Sequence, residues 1–415
     1  MLPKSRIKKL EESAKDPFAQ AIVSHYATTH CLKHYRSLLE RYVPNVFPVE
    51  EDLAAGDISE ASALAQSFFD FLFDVPFPSP KTSKFTFIDL FAGIGGFRLA
   101  MQALGGTCVF SSEWDKDAQK TYFENFGDMP FGDITKDEVK ACIPDNFDLL
   151  CAGFPCQPFS SIGKREGFAH PTQGTLFFHI QEILKTKRPK AFLLENVPGL
   201  VTHQEGATLQ TIREVLRNEL DYEADFVVLN SADFGVPQYR RRLYIVGFRK
   251  DIAVFVNGTD AQNDKNGSQH GRQKSEMDEI FEFPKGDFIG KHVAFGSFIE
   301  KDAEGPSISE RLQKSYIFKK DDGHPEIVDE NFATPVKTLC ASYHKIQRIT
   351  GTFVRGGKTG LRLLTERECK YIMGFPQSFR IPVCRTSMYH QFGNSVAVPV
   401  ISAIARQIVA ALVKR

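Results

Sequence analysis

The stretch Asp89-Leu-Phe-Ala-Gly-Ile-Gly-Gly96 decides the fold class, because it follows an apolar run and precedes an amphipathic helical segment. In an open α/β sheet, a glycine-rich turn of this kind lies where a nucleotide-like cofactor meets the carboxyl end of a strand. Glycine lets a ligand approach the backbone closely. A lone Gly-x-Gly-Gly is at least as often a simple tight turn, so the residues that follow must decide between the two.

Two later positions favour a cofactor site. Glu113 ends the next predicted strand, where an acidic side chain can accept hydrogen bonds from both hydroxyls of a ribose. Trp114, the only tryptophan, follows immediately and offers a stacking surface for adenine. The segment Gly132-Asp133-Ile134 can supply an acceptor for an adenine amino group. The glycines are spaced Gly-x-Gly-Gly and not Gly-x-Gly-x-x-Gly, as in a dinucleotide-binding turn, which favours a cofactor without a pyrophosphate.

On both sides of this turn, short apolar runs alternate with longer amphipathic stretches. The alternation predicts an α/β fold with a mostly parallel sheet and helices on both faces. The predicted strands are residues 85–91, 108–112, 147–151, 191–194, 226–229 and 243–248. Helical spacing of apolar residues covers 16–42, 58–73 and 365–414.

The composition is that of an ordinary folded protein of 415 residues, 42% hydrophobic and 25% charged. Acidic and basic residues balance at 51 each, so any affinity for nucleic acid must come from charges gathered on one face. No apolar run approaches the ~18 residues of a membrane span and no signal peptide is recognisable, so we expect a cytoplasmic protein. The eight cysteines include no Cys-x-x-Cys pair, which predicts reduced thiols and no metal site.

The strongest candidate for chemistry is Cys156 in Gly153-Phe-Pro-Cys-Gln-Pro-Phe-Ser160, just past a predicted strand. The prolines beside Cys156 favour an exposed loop, and open sheets place their sites at the carboxyl ends of strands. Glu195 ends the next strand, so its carboxylate can face the same cleft. In isolation, Glu195 would be interpreted as a helix cap or a solvated charge.

A cluster of arginines precedes the last predicted strand of the sheet, in Gln238-Tyr-Arg-Arg-Arg242. Alternation along an extended chain puts Arg240 and Arg242 on one face. Two interpretations remain open, namely surface charge and contact with a phosphate or substrate.

Residues 85–248 and 362–412 resemble the bacterial C5-cytosine DNA methyltransferases, because these motifs occur in the order found in that family, without circular permutation. Leu176 in Gly-Thr-Leu-Phe-Phe and the stretch Gln391-Phe-Gly-Asn-Ser-Val396 match two further family motifs, the second of which closes over the cofactor. The resemblance implies the Rossmann-like fold of methyltransferases that depend on S-adenosylmethionine, and DNA (cytosine-5-)-methyltransferase activity. Two departures, Ile162 and Gln173, bear on the DNA contacts of the loop after Cys156.

The resemblance also assigns roles to single residues. It implies Cys156 as the nucleophile, Glu195 as the group that binds N3 and the amino group of cytosine, and Arg240 and Arg242 as braces for the target base. S-adenosylmethionine is the implied cofactor, with no metal. Its implied contacts are Phe91, Gly93, Ile94, Gly95, Glu113, Trp114, Asp133, Ile134, Leu176, Asn394, Ser395 and Val396.

In the family mechanism, a thiolate adds to carbon 6 of cytosine, which makes carbon 5 able to attack a methyl sulfonium. A free thiol has a pKa of about 8.5, so Cys156 needs a positive neighbour, a role that Arg242 can take, or a helix N-terminus. A protonated Glu195 would neutralise the charge pushed onto the ring, so we expect its pKa to be raised. The base must leave the duplex for this chemistry, and the loop near Ser160 can fill its place.

Residues 335–365 contain no Asp or Glu but six cations, which are Lys337, Lys345, Arg348, Arg355, Lys358 and Arg362. A basic stretch is usually a solvated face, but this one adjoins the predicted cleft, which favours contact with DNA. Thr338-Leu339 resembles a Thr-Leu pair in the target-recognition region of the family, and base readers are expected near it. The predicted DNA contacts are Ser160, Thr338, Leu339, Tyr343, Lys345, Arg348 and Arg355.

These motifs divide the chain into five segments. They are a helical N-terminal extension with a Pro-rich linker (1–80), a catalytic and cofactor-binding domain (81–256), a polar linker (257–284), a small irregular target-recognition domain (285–360) and a C-terminal part that returns to the catalytic domain (361–415). The extension is either a regulatory DNA-binding unit or a packing appendage, and we favour the latter.

The expected partner is double-stranded DNA with a specific short sequence, in functional pairing with a restriction endonuclease. We expect a monomer with no stable protein partner and no membrane. One alternative is a tRNA cytosine-5 methyltransferase of the same fold, although that branch usually has a Pro-Pro-Cys-Gln loop and a Cys-Phe-Thr signature, where this chain has Phe-Pro-Cys-Gln. Another is a DNA-binding regulator without catalysis, against which the intact Cys156, Glu195 and Arg242 argue.

Overall fold

A six-stranded sheet lies at the centre of the part of the chain that the computed structural model describes, residues 16–29, 32–42, 75–154, 176–253, 281–301 and 303–413. Its strands are β1 (Phe85–Leu90), β2 (Gly106–Ser112), β3 (Leu149–Gly153), β4 (Ala191–Asn196), β5 (Tyr222–Asn230) and β6 (Arg241–Arg249). They lie in the order β2-β1-β3-β4-β6-β5. The first four run parallel, and β6 is antiparallel to both neighbours. The predicted mostly parallel α/β sheet is confirmed.

All six predicted strands are present, with shifted bounds. Every residue of β2 and of β4 is buried, as expected for parallel strands that are covered on both faces. Such strands appear in the sequence as continuous apolar runs, which makes them easy to recognise. β5 is an edge strand that begins at Tyr222, earlier than predicted. The prediction missed its first residues because Glu223 and Asp225 interrupt the apolar run.

Side chains alternate between the two faces of the sheet, so each face has its own hydrophobic core. Phe87 of β1 belongs to one core and Ile88 to the other. The described helices are α1 (Pro17–Thr29), α2 (Leu32–Tyr42), α3 (Gly96–Ala103), α4 (Lys116–Phe126), α5 (Asp137–Lys140), α6 (Leu176–Lys187), α7 (Gly199–Thr202), α8 (Ala207–Glu214), α9 (Lys250–Ala253), α10 (Glu310–Leu312), α11 (Glu366–Met373), α12 (Arg385–Asn394) and α13 (Val398–Val413). Because α3 and α13 contribute to the core of Phe87, and α1 and α6 to that of Ile88, helices cover both faces as predicted.

The N-terminal extension is helical where it is described, and α1 packs against both α2 and β2. The Tyr35 hydroxyl of α2 donates a hydrogen bond to the Val109 carbonyl oxygen of β2 at 2.5 Å. Ala21 and Ile22 of α1 are fully buried. The helix predicted for 58–73 and most of the linker predicted for 257–284 lie outside the described residues.

The segment 285–360 is irregular apart from short helical turns and a small second sheet. The strands of this sheet are β7 (Glu326–Val328), β8 (Thr352–Arg355) and β9 (Leu361–Arg362), in that order. β9 lies just beyond the predicted boundary at residue 360. Tyr343 and Phe353 belong to the same core as α11, α12 and α13. The irregular segment is therefore packed onto the C-terminal helices and shares their core.

The C-terminal helices confirm the helical pattern predicted for 365–414. α11 begins with a capping box, in which Thr365 and Glu368 each accept a hydrogen bond from the other's backbone N–H. The segment Arg385–Leu412 is long and apolar enough to cross a membrane by length and composition, but half of its apolar 18-residue window is buried in the fold. It consists of two helices, α12 and α13, that pack in the core.

Candidate active site

The glycine-rich turn leaves β1 and enters α3 with three residues at positive φ. The φ angles of Phe91, Gly93 and Gly95 are 53°, 55° and 86°. A Cβ atom at Gly95 would lie 2.3 Å from a ring carbon of Phe126, so only glycine fits there. A Cβ atom at Gly93 would meet no atom within 4 Å. The turn is thus packed at one position and open at another, which leaves room for a ligand.

Glu113 joins the end of β2 to this turn. Its Oε2 atom accepts a hydrogen bond from the Gly93 N–H, and its Oε1 atom accepts one from the Asp115 N–H, both at 2.8 Å. Burial raises the pKa of the Glu113 carboxyl, and the two N–H donors act in the opposite direction. Each oxygen keeps a second lone pair, so the carboxylate can still accept a hydrogen bond from a ligand hydroxyl.

Trp114 and Asp133 lie on two segments that meet at the end of β2. The Glu113 N–H donates to the Phe131 carbonyl oxygen at 2.8 Å, which brings the chain before Asp133 to this point. Trp114 is 76% exposed, so its ring is accessible for stacking. One Asp133 oxygen accepts from the Thr135 N–H at 2.9 Å. We call Glu113, Trp114 and Asp133 the adenosine side of the site.

Three other predicted cofactor contacts differ in how much of the side chain is accessible. Ile94 and Ile134 are 1% and 3% exposed, with their side chains in the two cores. Any contact that these two residues make with a cofactor therefore involves their backbone. Leu176 is half-buried at the start of α6.

The stretch 391–396, expected to close over the cofactor, packs against the end of the glycine-rich turn. A Cβ atom at Gly96 would lie 2.7 Å from Val396 Cγ2 and 3.1 Å from Ser395 Oγ. A Cβ atom at Gly153 would lie 3.7 Å from Val396 Cγ1, so Val396 is close to both the start of α3 and the end of β3. Asn394 differs, because its side chain is exposed and its Nδ2 atom lies 3.2 Å from His390 Nε2.

Glu195 lies in β4, paired with Gly153 of β3 on one side and with Tyr244 of β6 on the other. Its side chain is buried, and Arg242 Nε lies 3.1 Å from its Oε1 atom. Burial raises the pKa of the Glu195 carboxyl, although Arg242 and Arg240 act in the opposite direction. The site therefore holds an acid that keeps its proton more readily than an ordinary glutamate does.

Cys156 and Ser160 lie outside the described residues, but the chain that leads to them is described up to Phe154. Asn196 Nδ2 donates to the Phe154 carbonyl oxygen at 3.0 Å. A Cβ atom at Gly153 would lie 3.7 Å from Glu195 Oε2. The chain thus enters the segment that carries Cys156 directly beside the Glu195 carboxylate.

Arg240 requires a correction. Its side chain is 2% exposed, and its guanidinium donates to the carbonyl oxygens of Leu339, Gly393 and Ser395 at 3.2, 3.0 and 2.6 Å. Burial lowers the pKa of Arg240 to about 10, and the charge of Arg242 acts in the same direction. With its terminal nitrogens bonded to backbone, Arg240 joins the irregular segment to the stretch 391–396. It does not reach out to a base as expected.

Sequence reasoning missed the role of Gln238, although the residue stands in the arginine-rich stretch. The Gln238 Nε2 atom donates to the Ile372 carbonyl oxygen at 2.6 Å, and its Oε1 atom accepts from the Leu339 N–H at 2.7 Å. Gln238 is fully buried. Its signal was weak, because a polar residue before a strand is more often exposed.

Asp89, the first residue of the stretch that decides the fold, was also missed. It is fully buried, and among the described residues neither carboxylate oxygen has a hydrogen-bond partner. Burial raises its pKa well above the ordinary range, while Arg98 acts in the opposite direction. Asp89 therefore stays an uncharged interior group, and the acceptors that the site presents are Glu113 and Asp133, with no Lys or Arg within 91–96, 113–115 or 132–134. This set of acceptors suits a cationic ligand with hydroxyls better than a phosphate, which needs donors.

Three of the predicted DNA contacts are interior side chains, which corrects their assignment. Leu339 and Tyr343 are 3% and 4% exposed, and the Tyr343 hydroxyl donates to the Thr352 carbonyl oxygen. Arg348 is 8% exposed and donates to Asp322 Oδ2 and to the Ile317 carbonyl oxygen, each at 2.9 Å. These side chains hold the irregular segment together, so they cannot read base edges.

The remaining predicted contacts lie nearer the surface. The Thr338 hydroxyl donates to the Tyr239 carbonyl oxygen at 2.6 Å, whereas Lys345 and Arg355 are exposed. The predicted concentration of charge is partly neutralised, because four of its cations pair with acidic residues from outside 335–365. The pairs are Arg348 with Asp322, Arg355 with Asp329, Lys358 with Glu304, and Arg362 with Glu368.

Comparison with known proteins decides the family. Residues 85–410 match the C-5 cytosine-specific DNA methylase family. The chain belongs to this family. It is a DNA (cytosine-5-)-methyltransferase, as the resemblance implied.

Two similar proteins show how far the likeness of this methylase extends. Type II methyltransferase M.MspI of Moraxella sp is 53% identical over 331 residues, which cover 80% of this chain and 72% of that protein. Type II methyltransferase M.HpaII of Haemophilus parainfluenzae is 42% identical over 374 residues, which cover 86% and 97%.

Solved structures support the fold. The methylase resembles S. pombe Dnmt2 methyltransferase with a TM-score of 0.57, over 80% of this chain and 100% of that one. It resembles Entamoeba histolytica methyltransferase EhMeth with a TM-score of 0.54, over 80% and 98%. Sequence identity is 20% in both cases, so the likeness concerns the fold alone.

Proposed function

We propose that this methylase transfers a methyl group from S-adenosylmethionine to carbon 5 of cytosine within a specific double-stranded DNA sequence, with Cys156 as the nucleophile. The position of Glu195 carries the proposal. Its buried carboxyl, with a raised pKa, lies where the chain enters the Cys156 segment. The type II names of M.MspI and M.HpaII support a role in protecting DNA from a cognate restriction endonuclease.

The residues around the glycine-rich turn fit S-adenosylmethionine. Glu113 and Asp133 would accept hydrogen bonds from the ribose hydroxyls and the adenine amino group, and Trp114 would stack on the adenine ring. When bound, the cofactor supplies a methyl group as an electrophilic sulfonium carbon.

In the proposed reaction, the Cys156 thiolate forms a bond to carbon 6 of cytosine, and the electrons of the 5,6 double bond become available at carbon 5. Glu195 donates its proton to ring N3, which neutralises the charge that the addition creates. Arg242, 3.1 Å from Glu195, orients the carboxyl. After carbon 5 has taken the methyl group, it loses its proton to solvent water and the bond between sulfur and carbon 6 breaks, which restores the thiolate, while ring N3 returns its proton to Glu195.

The target base must rotate out of the duplex, at a cost of a few kcal/mol that protein contacts offset. We assign recognition of the DNA sequence to 285–360, with the exposed Lys345 and Arg355 on phosphates and Ser160 in the closing loop. The methylase would act as a cytoplasmic monomer without a stable protein partner.

An oligonucleotide duplex with 5-fluorocytosine at the target tests the mechanism, because fluorine on carbon 5 cannot leave as a cation. With S-adenosylmethionine present, we expect a covalent complex that survives denaturing electrophoresis and maps to Cys156. Cys156→Ser should form none, since a hydroxyl holds its proton far more tightly than a thiol does. A trapped peptide that contains another cysteine would show that the assignment of Cys156 as the nucleophile is wrong.

The same preparation separates the alternatives. Methyl incorporation into duplex DNA but not into tRNA is expected. Incorporation into tRNA alone would favour the RNA enzyme, and binding of DNA without incorporation would favour a regulator. Sequencing of the methylated DNA would then give the recognised site.

A further inference from the structure

We propose that the N-terminal helices α1 and α2 position the adenosine side of the cofactor site, with His25 as the central positioning residue. The inference rests on the proposed function, because it takes Glu113, Trp114 and Asp133 to hold adenosine. Helix α1 packs against β2, the edge strand whose end carries Glu113. Both helices precede residue 85, where the match to the family begins, so they lie outside the matched part of the chain.

His25 fixes the end of β2. It is fully buried, and its Nε2 atom accepts a hydrogen bond from the Ser111 N–H at 3.2 Å. Its Nδ1 atom lies 2.9 Å from the Ala21 carbonyl oxygen and therefore carries the proton that it donates there. Both ring nitrogens are thus used, and Ser111 stands two residues before Glu113.

A second set of contacts from α1 fixes the segment that leads to Asp133. The Ser24 hydroxyl oxygen accepts a hydrogen bond from the Met129 N–H at 3.0 Å. The rings of Phe18 and His25 lie 5.7 and 5.0 Å from that of Phe131, between centroids. Phe131 stands two residues before Asp133.

The two sets converge at the backbone of Phe131. Its N–H donates to the Ser111 carbonyl oxygen and its carbonyl oxygen accepts from the Glu113 N–H, both at 2.8 Å. Displacement of α1 would therefore disturb both segments of the adenosine side together. Because a buried polar contact left unmade is costly, these hydrogen bonds fix geometry in a way that apolar cover alone would not.

A third contact connects His25 to the glycine-rich turn. His25 Nε2 lies 3.4 Å from Asp128 Oδ2, a close approach and not a hydrogen bond because Nε2 carries no proton, and Asp128 pairs with Arg98 of α3. All three side chains are fully buried. Helix α3 begins directly after the turn, so the extension is linked to both sides of the proposed cofactor site.

The test compares three variants of the full-length protein. His25→Leu keeps an apolar volume and removes the ring nitrogens. Leu216→Ala is the matched control, because Leu216 is fully buried in the same core but packs beside β5 at the opposite edge of the sheet. Trp114→Ala checks the adenosine side itself. Calorimetry gives the Kd of S-adenosylmethionine, and steady-state kinetics gives kcat and the KM of each substrate.

We expect His25→Leu to raise the Kd and KM of S-adenosylmethionine by about tenfold, the equivalent of one buried hydrogen bond. The kcat at saturating cofactor and the KM for DNA should not change. Leu216→Ala should lower stability without changing cofactor affinity. His25→Gln, whose amide oxygen can accept from the Ser111 N–H, should restore most of the affinity.

Two results would overturn the inference. One is wild-type cofactor affinity in His25→Leu, and the other is an equal loss of affinity in Leu216→Ala. Each would mean that α1 and α2 stabilise the fold but do not position the cofactor site. If Trp114→Ala also bound the cofactor normally, the adenosine side would be wrong as well, which separates the two failures. Should His25→Leu not fold, Phe18→Ala tests the same contact from a half-buried position and must raise the Kd for the inference to stand.

Discussion

The carboxyl ends of the parallel strands and the irregular segment 285–360 differ in what determines the position of their side chains. β1, β3 and β4 are parallel neighbours, so residues just past their ends must lie at one edge of the sheet. Around Tyr343 and Arg348 the chain forms a 3₁₀ helix of only three residues, Tyr343–Lys345, and both side chains are interior. A motif at a strand end therefore predicts position, whereas a run of cations does not predict exposure.

The two regions also use a pair of arginine and carboxylate in different ways. Arg362 and Glu368 make two hydrogen bonds of 2.8 Å, and the same carboxylate accepts from the Thr365 N–H, so the pair is buried and satisfied. Arg242 meets Glu195 through the contact of 3.1 Å between Nε and Oε1, and the pKa of Glu195 stays raised. The first pair serves stability, and the second leaves a carboxyl able to give up a proton to a ligand.

The largest expected effect is at the strand ends. Glu195→Gln keeps the shape of the side chain but removes its acidic proton, so we expect kcat to fall by roughly 10²- to 10⁴-fold, the usual range for general acid catalysis. The Kd of S-adenosylmethionine, measured by calorimetry, should stay within about twofold, because the substitution removes a proton donor and no contact to the cofactor.

The pH dependence gives an independent check on Glu195. The protonated form is present below its raised pKa and is lost as the pH rises through that pKa, whereas the Cys156 thiolate is gained as the pH rises. The rate in the wild type should thus have a maximum, and Glu195→Gln should lose the decline on its alkaline side. A variant with the wild-type rate and profile would contradict the role of Glu195.

Beside the irregular segment, in β9 just beyond residue 360, the largest expected effect is on stability. Arg362→Met leaves the buried Glu368 carboxylate without its partner, which should lower the free energy of unfolding by about 3 to 5 kcal/mol in urea titrations. Lys345→Ala, at an exposed cation, should change stability by less than about 0.5 kcal/mol.

DNA binding should reverse that order. Lys345→Ala should weaken binding and reduce the slope of log affinity against log salt by about one, as for one lost phosphate contact. Arg362→Met, measured where it is folded, should keep the wild-type slope. A reduced slope in Arg362→Met and an unchanged slope in Lys345→Ala would remove the distinction between interior and exposed cations.

The sequence predicts the sheet and the strand-end residues because apolar runs mark buried strands and parallel topology brings their ends together. It predicts Arg240 wrongly, since alternation along a strand shows a face but not what covers that face, and three backbone carbonyls from distant segments cover this one. The prediction that Arg348 contacts DNA is wrong for the same reason. Its partner Asp322 stands outside the basic stretch, so composition within the stretch could not indicate the pairing.

A smaller effect is expected at the adenosine side. Trp114→Ala should weaken binding of S-adenosylmethionine by about 1 to 3 kcal/mol, the range for stacking of a base on an aromatic ring. Because Trp114 is 76% exposed, the free energy of unfolding should hardly change. Asp133→Ala should weaken binding through a lost hydrogen bond. Unchanged calorimetric affinity in both folded variants would reject this part of the site.

The smallest effect concerns the pH dependence of stability at the N-terminal helices. Burial lowers the pKa of His25 below its ordinary value of 6.5, with Asp128 opposing the shift and Arg98 and His34 adding to it. In the unfolded chain the pKa returns to about 6.5, so the unfolded state binds more protons below that pH. The stability that His25 contributes is therefore complete above about pH 6.5 and is lost as the pH falls through the lowered pKa.

His25→Gln removes this titration and keeps an acceptor for the Ser111 N–H. Between about pH 6.5 and 5, the free energy of unfolding should fall less steeply in the variant, by up to about 1.4 kcal/mol per pH unit for one proton. Burial also lowers the pKa of His34 and His179, but both remain in the variant, so their contributions largely cancel in the difference between the two proteins. Urea titrations at a series of pH values measure the two slopes. Equal slopes would mean that His25 titrates in the fold as it does in the unfolded chain, which a fully buried ring bonded through both nitrogens cannot do.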